Sequence, residues 1–112
     1  MDNCIFCKIV KGDIPATVVY EDDVMMAFKD LNPVAPVHVL MIPKTHIASA
    51  AEITEENAPV VAHIMNKAKE VAKIMGIEET GFRLVNNCGE NAGQTVMHLH
   101  FHLIGGKTLL WP

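Results

Sequence analysis

The residues best equipped for chemistry lie near one end of the chain, in Met97-His98-Leu99-His100-Phe101-His102-Leu103-Ile104. Side chains alternate across a strand, so His98, His100 and His102 are expected on one face, neighbours ~7 Å apart. Leu99, Phe101 and Leu103 are expected on the other, ready to pack under a helix. Imidazole titrates near pH ~6.5, which suits it to nucleophilic attack on phosphorus, to proton transfer and to metal ligation. A plain solvated ladder is a poor account, because polar strand faces more commonly carry Thr, Lys, Glu or Ser. Ligation is open to His100 and His102, but the strand holds no Asp, Glu or Cys to complete a metal site. Catalysis is favoured by what precedes the ladder. In Gly93-Gln94-Thr95 a glycine permits close backbone approach, successive N–H groups can cradle an anion, and Gln94 and Thr95 add side-chain donors. Alone, this would read as an ordinary glycine turn. Beside three imidazoles it suggests phosphoryl or nucleotidyl transfer.

The rest of the chain must position these groups. A short helix is expected over 4–11, ending at Gly12, with Ile5, Ile9 and Phe6 turned inward. β-Branched and apolar runs predict strands over 17–20, 24–29 and 37–42, linked by short turns as an antiparallel meander. A long helix is expected over 54–75. Val61, Ile64, Met65, Ala68, Ala72 and Met75 form its buried stripe, Thr54 its N-cap and Gly76 its C-cap. A strand over 82–86, a Gly/Asn-rich loop over 87–93 and a last strand over 96–104 complete the chain. The fold class is α+β, one helix packing on an antiparallel sheet. His63 lies off the helical stripe and reads as a surface residue, and Cys88 as a loop thiol with no role.

Composition narrows the function classes. With 112 residues, 50% of them hydrophobic and 20% charged, the chain can bury a core and reads as a single domain over 1–112. A net charge of -4 argues against a nucleic-acid partner reached through a basic face. No uncharged stretch, 31–43 and 91–106 included, reaches the roughly 20 residues of a transmembrane helix, and the first residues lack the pattern of a signal peptide. Three cysteines, an odd number, argue against a closed disulfide framework and for a reducing cytoplasm.

His98-x-His100-x-His102 followed by Leu103-Ile104 resembles the signature of the histidine-triad (HIT) family. The likeness runs along the whole chain through Ile5-Phe6-Cys7-Lys8-Ile9, Asp13-Ile14-Pro15, Tyr20-Glu21-Asp22, Ala27-Phe28, Asp30-Leu31, Pro36-Val37-His38, Ile42-Pro43-Lys44 and His46-Ile47. The ending, from Gly105-Gly106 to Trp111-Pro112, resembles the Hint branch, the purine nucleoside phosphoramidases. The resemblance implies a HIT fold with a five-stranded antiparallel sheet, one long helix and a short N-terminal helix, dimerising into a continuous sheet. It implies hydrolysis of nucleoside 5′-phosphoramidates to nucleoside monophosphate and amine, with AMP or GMP as the nucleotide. His100 would be the nucleophile, His102 the group beside the phosphate and leaving group, and His38 and His98 supporting imidazoles. Asp30 would accept from the ribose hydroxyls; Phe6, Ile9, Ile14, Phe28 and Leu31 would hold the purine. Asn87, Gly93, Gln94 and Thr95 would lie at the ribose and phosphate. Without the resemblance Asp30 reads as a turn cap before Asn32-Pro33, and the five apolar residues read as core. Dinucleoside polyphosphates and nucleotidyl sulfates pass through the same nucleotidyl-histidine and are alternative substrates, and a nucleotide-binding regulatory module is a third possibility.

Cys4-Ile5-Phe6-Cys7 is a C-x-x-C pair outside the βαβ setting of thioredoxin-like motifs. A structural zinc site needs two more ligands. By resemblance to bacterial family members, His46 and His98 supply them, so that zinc would pin the N-terminal helix to the sheet and draw His98 from acid–base work to ligation. The chain departs from common family usage in two places. Thr95 stands where serine is frequent and keeps the hydroxyl. Leu110 is apolar where some relatives carry histidine, which leaves leaving-group preference open.

Overall fold

A computed structural model describes residues 3–112. The elements in order are α1 (Ile5–Lys11), β1 (Val18–Glu21), β2 (Met25–Lys29), β3 (Val37–Pro43), α2 (Ala58–Ile74), β4 (Phe82–Val85) and β5 (Phe101–Gly105), with 3-10 turns at Ala50–Glu52 and Glu90–Ala92. The strands form one five-stranded sheet in the order β1-β2-β3-β5-β4, every neighbouring pair antiparallel. The expected meander of the first three strands is therefore present. β5 lies inside the sheet, between β3 and the edge strand β4.

Alternation along β2, β3 and β5 divides the core into two layers. Met25, Ala27, Val39, Met41 and Leu103 face Ile64, Ala68, Val71 and Ala72 of α2. Burying a side chain such as Val71 or Ile64 contributes roughly 1.5–3 kcal/mol. On the opposite face Met26, Phe28, Leu40 and Ile42 pack against Phe6 of α1. β3 is buried on both faces, which explains its unbroken apolar sequence. Leu40 pairs with His102 and His38 with Ile104, so His38, Leu40 and His102 all project toward the α1 layer. At Gly105 an added Cβ would lie 2.7 Å from Ile77 Cδ1 and 3.1 Å from the Gly81 carbonyl oxygen, so glycine is what lets the loop after α2 close over β5.

Several boundaries differ from expectation for identifiable reasons. α2 begins at Ala58, not Thr54. Thr54 and Asn57 instead close a separate turn: Thr54 N–H donates to Asn57 Oδ1 at 2.7 Å, and Asn57 N–H to Thr54 Oγ1 at 3.3 Å. Pro59 is tolerated only in a first turn, which a helix starting at residue 54 would not give it. Met65 lies toward solvent, and the buried stripe runs through Ile64, Ala68, Val71 and Ala72. In α1 the buried pair is Phe6 and Cys7, while Ile5 is exposed. The largest departure is the last strand. It starts at Phe101, where the register with β3 ends at the pair Met41 and Phe101, although β3 itself runs on to Pro43. Upstream the chain leaves the ladder, and Leu99 N–H donates to the Ile47 carbonyl. No helix among the described residues is long and apolar enough to cross a membrane.

Candidate active site

The three histidines do not form an open ladder. His98 is 0% exposed and His100 6%, and only His102 keeps partial access to solvent. Because residues 98–100 lie off the regular strand, His98 turns toward the cysteines, whereas His100 and His102 face a cavity of about 260 Å³ between α1, β2 and the chain before β5. Phe6, Ile9, Ile14, Phe28, Asp30, Leu31, Thr95, His100 and His102 line it, as the sequence led one to expect. Ile5, Pro15, Ala16, Lys29, Leu40 and Val96 line it as well. Leu40 escaped notice because its cavity position comes from pairing with His102 across strands, which local sequence does not encode.

Hydrogen bonds to groups of fixed polarity set each imidazole's tautomer. The His98 carbonyl can only accept, so His100 Nδ1–H donates to it at 2.8 Å, leaving Nε2 with its lone pair. Val34 N–H can only donate, so His38 Nδ1 accepts it at 3.1 Å and His38 carries its proton on Nε2. That Nε2–H donates to His102 Nδ1 at 2.8 Å, which leaves the His102 proton on Nε2. The two cavity imidazoles are thus complementary: His100 presents a nucleophilic nitrogen and His102 an N–H. Their ring centroids are 5.2 Å apart, and Phe6 stands edge-on to His100 at 5.2 Å. Burial, together with the charges that His100 and His38 can carry, pushes the pKa of His102 down to about 4, so it is neutral in the empty site.

Asp30 serves both of its readings. Oδ1 accepts from Asn32 N–H at 2.7 Å and caps the turn, while Oδ2 lies 3.4 Å from His38 Nε2 at the cavity edge. The other loop residues bond to nearby backbone. Asn87 Nδ2 donates to the Ala92 carbonyl at 2.8 Å, and Gly93 N–H donates to the Glu90 carbonyl at 3.0 Å. Gln94 Nε2 donates to the Ala48 and Val96 carbonyls at 2.9 and 3.0 Å, and its backbone N–H to the Gly89 carbonyl at 3.1 Å. None of the three lines the cavity, and their donors brace the loop itself. Thr95 is the member of this segment on the cavity wall.

His98 belongs to a second cluster. Its Nε2–H donates to the Pro43 carbonyl at 2.9 Å, so Nδ1 offers a lone pair to Cys4 Sγ at 3.3 Å and Cys7 Sγ at 3.5 Å. His46 Nδ1 is 3.4 Å from Cys7 Sγ, and all four donor atoms lie within 4.8 Å of one another. Tetrahedral zinc with ordinary Zn–S and Zn–N lengths separates S and N ligands by roughly 3.5 Å. The donor set and its spacing fit that ion. Burial first, then the neighbouring Cys4, pushes the Cys7 thiol up, and burial lowers His98 against the opposing Pro43 carbonyl. A bound cation would stabilise the thiolates that burial disfavours. His98 thus meets the active site through its carbonyl on His100 and through the Phe6 ring, 5.8 Å away, and presents no ring nitrogen to the cavity. Asp30, His38 and His102 also lie within metal-binding reach of one another, but the nitrogens that face each other there share a proton.

A family model described as "Scavenger mRNA decapping enzyme C-term binding" matches residues 3–109. A solved HIT family hydrolase from Clostridium thermocellum is 53% identical, with a TM-score of 0.97 over 100% of this chain and 97% of that one. The chain belongs to the HIT family. Other HIT relatives widen the comparison. A 14 kDa zinc-binding protein of Zea mays is 44% identical over 110 residues, 96% of this chain and 85% of the relative. The histidine triad nucleotide-binding protein of Candida albicans is 34% identical, with a TM-score of 0.83 over 98% of this chain and 83% of that one. The chain falls with the HIT family hydrolases, and its five-stranded sheet and two helices are the HIT fold.

Proposed function

We propose that this HIT hydrolase cleaves purine nucleoside 5′-phosphoramidates by way of a nucleotidyl-His100 intermediate. The observation that carries the reading is the fixed tautomer of His100, whose Nδ1–H is held by the His98 carbonyl at 2.8 Å while Nε2 faces the cavity. The purine lies between Phe6, Ile9, Ile14, Phe28 and Leu31, with the ribose hydroxyls at Asp30 Oδ2 and the phosphate beside Thr95. Few polar groups in this pocket read the base edges, so AMP and GMP both fit.

The anionic phosphate, as it binds, favours uptake of one proton by the His38–His102 pair: the proton between the rings moves from His38 Nε2 to His102 Nδ1, the entering proton takes the place of Val34 N–H at His38 Nδ1, and His102, with N–H at both nitrogens, is the imidazolium. His100 Nε2 attacks phosphorus, the P–N bond breaks, and the Nε2 proton of His102 leaves with the amine. Water then attacks phosphorus and gives its proton to His102. His100 departs as the neutral imidazole, with Nδ1–H still on the His98 carbonyl, and the nucleoside monophosphate is released. His38 holds the orientation of His102, and Val34 holds that of His38.

A dinucleoside polyphosphate would bring further negative charge to a cavity where Lys29 is the sole lysine or arginine of the lining and Asp30 opposes it. An amine leaving group needs no such cation. The test is rapid quenching of turnover on adenosine 5′-phosphoramidate followed by peptide mass mapping. An adduct of AMP mass on His100 supports the mechanism; an adduct elsewhere, or none under conditions of rapid turnover, refutes it.

Two assembly features belong to the same reading. Zinc on Cys4, Cys7, His46 and His98 is structural, tying α1 to the sheet. Two chains join across the β4 edge and the outer face of α2 into a continuous sheet.

A further inference from the structure

The cysteine pair is arranged for more than ligation. Cys4 is the N-cap of α1, and the Cys7 N–H, in the first turn, donates to Cys4 Sγ at 3.3 Å. Both sulfurs also converge on one nitrogen, His98 Nδ1, at 3.3 and 3.5 Å. Residues three apart on a helical turn have Cα atoms about 5 Å apart, within the range a disulfide spans. Side-chain rotation can therefore join the two sulfurs with little backbone movement. A second cavity, of about 370 Å³, adjoins the active-site cavity through Ile5, Thr95 and Val96 and has Cys4 and His46 on its wall. Cys7 is buried behind, so a small reagent from solvent meets Cys4 first.

We propose that Cys4 and Cys7 form a reversible dithiol–disulfide couple, oxidised by hydroperoxides, whose closure releases the metal and loosens the α1 wall of the nucleotide pocket. The Cys4 sulfur attacks the peroxide O–O bond and takes one oxygen as a sulfenic acid, and the other oxygen leaves as water or an alcohol. The Cys7 sulfur then attacks the Cys4 sulfur, the S–S bond forms and water departs. Starting from the metal-bound thiolates, two protons come from solvent and the cation is freed.

The link to the active site is Phe6, which stands between the two cysteines in sequence. Its ring packs edge-on to His100 at 5.2 Å, Phe28 at 5.5 Å and His98 at 5.8 Å. α1 has only 7 residues and is too short to hold its conformation unaided. Oxidation removes two of the four ligands that fasten it. The metal arm of this inference rests on the zinc reading above.

The test uses the full chain carrying Cys88→Ser, so that the exposed third thiol does not react. Hydrogen peroxide is titrated in while peptide mass, zinc release to a chelating dye and AMP affinity by calorimetry are followed. The expected result is loss of two hydrogens from the peptide carrying Cys4 and Cys7, one zinc freed per disulfide, and roughly tenfold weaker AMP binding. Dithiothreitol with zinc should reverse all three. Oxidation that stops at a sulfinic acid on Cys4, or a disulfide that leaves AMP affinity unchanged, overturns the couple. Protein that carries no zinc as purified, yet forms the disulfide and loses AMP affinity, removes the zinc reading while supporting the couple.

Discussion

At the scale of single residues, function depends on which nitrogen of each imidazole keeps its proton. A backbone carbonyl fixes His100 and a backbone N–H fixes His38, so these choices are made by the fold rather than by the neighbouring side chains. His100→Ala is expected to lower turnover of adenosine 5′-phosphoramidate by at least ~10³-fold while AMP affinity stays within a few-fold, because the purine and ribose contacts survive. Stopped assays with parallel calorimetry check the split. A second residue-scale device lies outside the site. Asp22 accepts from His63 Nε2 and the Tyr20 hydroxyl at 2.7 and 2.8 Å, and from Val24 and Met25 N–H at 2.8 and 2.9 Å. Burial would raise its pKa, but the bonds from His63, Val24, Met25 and Tyr20 outweigh that and hold the carboxyl well below the usual range. His63, read from sequence as a surface group, in fact ties α2 to the β1–β2 turn. A carboxylate with a depressed folded pKa contributes stability that is complete above its unfolded value near ~3.9 and is lost as pH falls toward the folded value. Asp22→Asn is expected to cost about 1 kcal/mol at pH 7, because Asn keeps the backbone contacts but loses the charge. The gap to wild type should narrow steadily below pH ~4 in thermal melts, and a gap independent of pH would refute the linkage.

At the scale of elements, local pattern revealed the site residues that act through burial and left hidden those that act through pairing. Phe6, Ile9 and Phe28, on short elements, and Ile14, in the bend after α1, are apolar and all line the cavity. The run 96–104 alternates cleanly, so it reads as one strand. It is strand only from Phe101, because the chain before it leaves β3 and Leu99 N–H bonds to the Ile47 carbonyl instead, a partner far away in the chain. That break sends His98 to the cysteines and His100 to the cavity, and no local sequence pattern signals it. The partners of Gln94 are hidden for a related reason, since the fold and not the local sequence brings the Ala48 carbonyl to its side chain. Two element-scale predictions follow from close packing and from ligation. Gly105→Ala places a Cβ 2.7 Å from Ile77 Cδ1 and 3.1 Å from a backbone oxygen, and overpacking of this kind costs roughly 1–3 kcal/mol. Denaturant unfolding should show that loss with an unchanged slope. Chelation of zinc, or Cys4→Ser, should lower both melting temperature and AMP affinity, since α1 is then held mainly by Phe6. Restoration of the chelated wild type by zinc, and failure of zinc to restore Cys4→Ser, distinguishes ligand loss from general damage.

At the scale of the whole molecule, one edge of the sheet is apolar and unpaired. The radius of gyration is 13.5 Å, near the ~13 Å expected for a self-contained domain of about 100 residues. The cavity lining named above and the four donors of the candidate metal cluster lie on one chain. Yet β4 is an edge strand, and it leaves Phe82 and Leu84 each 36% exposed, while Ile74 on α2 is 49% exposed. Leu84 pairs with Leu103, which faces α2, so Leu84 lies on the α2 side of the sheet. An apolar edge strand left open invites pairing with another strand, and natural sheets normally blunt such an edge with charge or proline. Within β4 only Arg83 is charged, and it is engaged with the carbonyls of Leu109, Leu110 and Pro112, so it does not guard the edge. A second copy meeting this edge about a two-fold axis would pair β4 with β4 and extend both sheets into one. Leu84→Lys places a charge on that surface without entering the cavity or the metal cluster. Sedimentation at micromolar concentration is expected to give twice the 12.3 kDa chain mass for the wild type and the chain mass for the variant. Because the purine, ribose and phosphate contacts proposed above all lie on one chain, AMP affinity of the variant is expected to stay within a few-fold of wild type. A variant that remained dimeric would move the interface elsewhere, and a folded monomer unable to bind AMP would mean that the second chain supports the site.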